Sequence, residues 1–132
     1  MEANPILHDI KSIDDIKILI DAFYHKVRAD ELIGPIFNEI AQVNWEHHLP
    51  KMYAFWEFLL IGGESYQGNP MEPHRRLNQK VQLKKDFFDR WVELFRNTVD
   101  EYFSGIVAEE AKNKAELIAM TWIPKFEQGN IG

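Results

Sequence analysis

Gly62-Gly63-Glu64-Ser65-Tyr66-Gln67-Gly68-Asn69-Pro70-Met71-Glu72-Pro73-His74 is the stretch on which the reading of this chain turns. The paired glycines stop the helix before them, and Gly68-Asn69-Pro70 sets an ordered loop. Only a short helical piece fits between about Met71 and Leu77. Within it Met71, His74 and Leu77 recur at steps of three, which turns His74 inward among apolar neighbours. An ordinary four-helix bundle brings four comparable stripes and short loops, not a long loop with prolines around a histidine. A segment so poor in helix formers needs another source of order, and a ligand bond would supply it. Taken alone, however, an inward histidine is more often a satisfied core or surface residue.

On either side the pattern is helical throughout. Ile16, Ile20, Phe23 and Val27 alternate steps of four and three, predicting an amphipathic helix from about Ile13 to Arg28. Ser12 caps it, and Asp15 three residues on completes a capping-box pattern. Tyr24, four after Ile20 and three before Val27, falls on the buried side. Gly34-Pro35 then breaks the chain and delivers Ile36 and Phe37 inward. Trp45, His48, Met52, Trp56 and Leu59 form one stripe of a second helix, from about Trp45 to Ile61, with His47 turned away from it. Pro50 fits a helix only in its first turn, which moves the expected start toward Leu49.

Beyond the loop, Phe87, Phe88, Trp91, Leu94, Phe95, Val99 and Tyr102 make one face of a helix from about Lys85 to Phe103. Ala111, Ala115, Ile118, Ala119 and Trp122 do the same from about Ala108 to Phe126, where small residues allow another helix to approach closely. The alternation expected of strands appears nowhere. The expected class is all-α, with four main helices and one weak stretch in the middle.

A chain of 132 residues is one domain's worth, enough to bury roughly two-thirds of its unfolded surface around a single core. The expected layout is one domain over 1–132, with an N-terminal arm at 1–11 and a C-terminal tail at 127–132. Apolar residues make up 45%, and the 13% aromatic content is rich enough that something wide and flat could be packed inside. A formal charge of -6 without basic blocks argues against nucleic acid as a partner. The absence of cysteine removes thiolate catalysis and zinc-thiolate sites, so histidines and carboxylates must carry any metal chemistry. No stretch approaches the ~18 apolar residues of a membrane span, and Met1-Glu2-Ala3-Asn4-Pro5 does not open like a signal peptide. No membrane insertion and a cytoplasmic location are expected.

The run Phe23-Tyr24-x-x-Val27-Arg28-x-Asp30-x-Leu32-x-Gly34-Pro35-Ile36-Phe37-Asn38 resembles the early helices of truncated haemoglobins. So do Trp45-x-x-His48, Phe55-Trp56, Gly62-Gly63-x-x-Tyr66-x-Gly68-Asn69-Pro70-x-x-x-His74 and Phe88-Asp89-Arg90-Trp91-x-x-Leu94-Phe95. No single motif would suffice, but the ordered set is similar to group III of that family. The fold it implies is a shortened globin, two helices stacked over two others around haem b, iron protoporphyrin IX.

The resemblance implies His74 as the proximal iron ligand, Tyr24 as the distal hydroxyl, Phe37 as the ring against the haem, His48 as the distal gate and Trp91 as a second distal donor. Met52, on the stripe of His48, joins the cofactor-contacting set. Arg75 and Arg76 suit the haem propionates, a solvated basic patch being the equal alternative. The implied partners are oxygen or another diatomic gas, nitric oxide or carbon monoxide, and an unidentified reductase. Two donors aimed at a partly negative ligand, at about 1.5 to 3 kcal/mol each, would tighten binding by about 10² to 10⁴. Slow release favours redox chemistry or detoxification, of a nitric oxide dioxygenase or peroxidase kind, over transport. The competing readings are a simple oxygen carrier or sensor, a helical interaction module without cofactor, and a non-haem iron bundle. The last needs Glu-x-x-His patterns, and the chain has none.

Overall fold

The computed structural model describes residues 7–36, 44–62 and 85–127, with side chains through Met120. Four helices carry these residues: α1 (Ile13–Ala29), α2 (Trp45–Ile61), α3 (Lys85–Tyr102) and α4 (Ile106–Glu127). No strand occurs among the described residues. The expected short helical piece from Met71 to Leu77 lies outside them.

Local chemistry sets the helix ends. Ser12 takes extended backbone angles and its hydroxyl accepts from the Asp15 N–H at 3.4 Å. The Asp15 carboxylate reaches back one residue further than a capping box, to the Lys11 N–H at 2.9 Å. At the other end Asp30 caps α1, and its N–H returns to the Val27 carbonyl. Gly34 then passes so close beneath the helix end that a Cβ would lie 2.8 Å from the Arg28 carbonyl oxygen and 3.0 Å from that of Val27. Only glycine fits this approach.

Contrary to the expected start near Leu49, α2 begins at Trp45, and Pro50 lies inside it. Asn44 explains how. Its side chain accepts from the Glu46 N–H, and its carbonyl accepts from the N–H of His47 and His48. With the first turn secured, the missing N–H at exposed Pro50 leaves only the carbonyl of exposed Glu46 without its usual helical donor, where water can serve it. Gly62, in the left-handed region at φ 82, closes the helix by donating to the Glu57 carbonyl.

The helices form a closed circuit of neighbours: α1 packs on α2 and α3, α3 lies most closely on α4, and α4 touches α2. The pairs α1/α2 and α3/α4 make the two layers of a helical sandwich. Contacts at Arg28–Trp45, Tyr24–His48 and Asp21–Tyr53 step down α1 as they climb α2, so that pair is antiparallel. Arg96–Glu116 and Asp100–Lys112 show the same for α3 and α4. The stripe Ala108, Ala111, Ala115 and Ala119 is buried and lets α4 approach closely.

Between the layers sits an aromatic core. Trp56 stacks on Phe95 with centroids 4.6 Å apart, and Phe23 meets Phe95 edge-on at 5.1 Å. Tyr102, expected on this face, is exposed, and Phe103 just past the helix end is buried in its place. The segment before α1 is tied down as well. The Asp9 carboxylate accepts from the N–H of Val107 and Ala108 at 2.9 and 2.8 Å, capping α4 from 98 residues away. Gly105 makes room for it at φ 145, since a Cβ there would fall 2.4 Å from the Asp9 Cγ.

Candidate functional site

On a helix, residues three or four apart share a face. Tyr24 and Arg28 therefore stand together on α1, and Trp45 and His48 stand together on α2. The antiparallel packing sets the two pairs against each other. The Tyr24 ring meets the His48 ring edge-on at 5.1 Å and 83°, and Trp45 lies 5.4 Å from each of them. The Arg28 guanidinium carbon sits 4.9 Å from the Trp45 ring centre, within cation–π range.

The third wall comes from α3. Trp91 packs edge-on to Phe23 at 5.7 Å and in parallel with Phe95 at 6.0 Å, which fixes its indole plane. Trp91 stands near enough to the Tyr24 hydroxyl to act on its ionisation. Tyr24 is 5% exposed. Burial pushes its phenol well above the ordinary value, and Trp91 offsets part of that rise. The hydroxyl thus stays protonated at neutral pH.

Of the residues singled out in the sequence, the fold brings Tyr24, His48 and Trp91 to one wall. His48 is half-buried with its Nε2 fully covered. Met52, one turn beyond His48, is partly buried against the core. His8, His25 and His47 are exposed. Phe37, His74, Arg75 and Arg76 lie outside the described residues. No group of three or more His, Asp or Glu side chains able to hold a metal occurs among the described residues.

The sequence reading missed four residues that support this wall. Trp45 and Arg28 form its outer side. Asp30 and Arg90 tie the end of α1 to α3 one residue before Trp91. Both Nε and Nη2 of Arg90 meet Asp30 Oδ1 at 2.7 Å, and Asp30 Oδ2 accepts from the N–H of Leu32 and Ile33 at 3.0 Å. Burial works to raise the Asp30 carboxyl, but these hydrogen bonds outweigh it and hold the group below the usual carboxylate range. All four stand within the quoted motifs, yet no spacing rule pairs residues sixty positions apart.

Two helices over two, with a buried phenol, an indole donor and a histidine on one wall, define a shortened globin. The bacterial-like globin family model matches residues 8–123. The Group 3 truncated hemoglobin ctb of Campylobacter jejuni subsp. jejuni is 34% identical over 109 residues, covering 80% of this chain and 84% of that protein. The crystal structure of group III truncated hemoglobin from Campylobacter jejuni matches with a TM-score of 0.78 at 27% identity, over 92% of this chain and 95% of that one. The chain belongs to the bacterial-like globin family and, within it, to the group III truncated haemoglobins. Membership implies a haem-binding globin that takes a small gas ligand. No described helix is long and apolar enough to cross a membrane.

Proposed function

We propose that the chain holds haem b through His74 and keeps oxygen or another diatomic ligand against Tyr24, Trp91 and His48 for redox chemistry, not transport. The donor set fits such a group. A porphyrin supplies four nitrogens to its iron, so one protein imidazole suffices and no cluster of carboxylates is needed. Aromatic walls suit a flat apolar ring, and N–H and O–H donors suit a partly negative ligand. When bound through His74, haem would supply an iron able to take a diatomic ligand.

The observation that carries the reading is the buried Tyr24 phenol, met edge-on by His48 from α2 and influenced by Trp91 from α3. Burial keeps the phenol neutral and excludes competing water. Phe37 and Met52 would line the ring, and Arg75 and Arg76 would meet its propionates. Slow release suits oxidation of nitric oxide or handling of peroxide, with a reductase restoring ferrous iron. Cytoplasmic residence accords with that supply of electrons.

Absorbance and stopped-flow kinetics test the reading. The purified chain shows a Soret band, His74→Ala loses it, and His47→Ala keeps it. Oxygen leaves the ferrous protein slowly, and Tyr24→Phe speeds its departure by about 10 to 100 times, the equivalent of one charge-assisted hydrogen bond. No Soret band after reconstitution, or a fast off-rate indifferent to Tyr24→Phe, refutes it.

A further inference from the structure

Trp45 occupies an unusual place for a residue at the first position of a helix. One side of it touches two of the three polar residues of the wall, Tyr24 and His48, at 5.4 Å each. Arg28, an exposed cation, lies over its ring at 4.9 Å. The burial changes across this short distance: Arg28 is exposed, Trp45 and His48 are half-buried, and Tyr24 is buried. Among the described residues, Trp45 is therefore the outermost aromatic ring beside Tyr24 at this end of the α1/α2 seam.

We propose that Trp45, latched by the Arg28 guanidinium, is the positioning residue that shields the Tyr24 hydroxyl and the Trp91 indole N–H from water, holds the His48 ring edge-on to Tyr24, and sets how fast a diatomic ligand arrives. The ligand-access part rests on the haem reading above; the sealing part does not. Three features of the geometry support it. The His48 ring is held by edge-on contacts on two sides, at 83° to Tyr24 and 81° to Trp45, so removing the indole frees one side of the imidazole. Arg28 is four residues from Tyr24 on the same face of α1, so the latch and the residue it protects move as one body. Asn44 fixes the start of α2 through three backbone N–H groups, which anchors the Trp45 backbone while its ring closes the seam.

The test is hydrogen exchange at the Trp91 indole N–H, followed by nuclear magnetic resonance in the full chain, with global stability of each variant measured by denaturant. Trp45→Leu speeds exchange by about tenfold beyond what its loss of global stability accounts for, Trp45→Phe restores it to within about threefold, and Arg28→Met raises it by about threefold. Haem-loaded Trp45→Leu takes up carbon monoxide about tenfold faster than the native chain. Exchange unchanged in Trp45→Leu, or faster only in step with global stability, overturns the proposal, as does unchanged carbon monoxide uptake. Arg28→Met changes an exposed side chain, so it decides the matter even if Trp45→Leu fails to fold: no rise in exchange refutes the latch. A chain that takes up no haem refutes the functional reading instead, and the exchange measurement still judges the seal.

Discussion

Asp30 and Arg90, sixty residues apart, share one carboxylate oxygen: Nε and Nη2 of the arginine both stand 2.7 Å from Oδ1. The other oxygen is taken by two backbone N–H groups of the turn after α1. One buried charge thus joins a helix end, a turn and a second helix. Asp30→Ala lowers the thermal midpoint, followed by circular dichroism, more than Lys26→Met does, because the Lys26–Glu101 pair that also links α1 to α3 is open to solvent. Arg90→Met, which strands the buried carboxylate, falls on the Asp30 side of that comparison. Equal effects at both pairs would show that the Asp30 node has no special weight.

Acid should reach the fold through the same carboxylate and through Asp9. For Asp9 too, burial raises the carboxyl and hydrogen bonds from the Val107, Ala108, Ile10 and Ile106 N–H groups lower it further than burial raises it. A carboxyl depressed in the folded state contributes stability above its unfolded pKa of about 4 and loses it as pH falls through the folded value. Denaturant midpoints stay level from neutrality to about pH 5 on account of these two groups and drop below about pH 4. Asp9→Asn combined with Asp30→Asn flattens the drop.

Alkali acts through the phenols. Tyr24 is raised by burial, and Tyr53 is pushed up to about 12 by burial together with its hydrogen bond and charge interaction with Asp21. Raised groups contribute stability below the unfolded value, near pH 10, and lose it as pH rises toward the folded one. Tyrosinate absorbance will therefore show Tyr24 ionising only with unfolding. In Tyr24→Phe that unfolding-linked part of the signal disappears.

The cap that Asp9 places on α4 is worth about 0.5 to 2 kcal/mol, the range for losing an N-cap side chain. Asp9→Ala should lower stability by that amount in urea titrations. Gly105→Ala costs at least as much by two routes, a residue at φ 145 and a Cβ driven into the Asp9 side chain. The double variant costs less than the sum, since both act on one contact.

Phe95 ties the two layers together through Trp56 and Phe23, and packs parallel to Trp91 on its own helix. Phe95→Ala therefore costs about 3 to 5 kcal/mol and broadens near-ultraviolet signals of both tryptophans. Phe95→Leu costs less and keeps the fold.

The helices were legible in the sequence because each buries one stripe. The spacing of Ile16, Ile20, Phe23 and Val27 predicts a start at Ile13, and that of Trp45, His48, Met52 and Trp56 predicts an end at Ile61; both agree with the structure. Pro50 points to a start near Leu49 because an interior proline costs a helical hydrogen bond, whereas Asn44 and the packing of Trp45 hold the first turn from Trp45 onward. Tyr102 was placed inward by periodicity, but the helix ends there and the chain turns, so Phe103 takes the buried place. Inward faces for Tyr24, His48 and Trp91 followed from spacing. Their convergence did not, since spacing says nothing about which stripes meet across layers; the ordered family resemblance carried that step. Asp9 over α4 and Asp30 with Arg90 were invisible for the same reason, being contacts between distant segments.

The Asp9 cap has a bearing on how the chain comes into being. During synthesis Asp9 emerges well before its partners, Val107 and Ala108, which follow 98 and 99 residues later. Closing so large a loop carries a high entropic cost and gains nothing until the far end arrives. A nascent chain halted before that point has α1 to α3 but no closing clasp, so the segment around Asp9 waits on α4 to complete it.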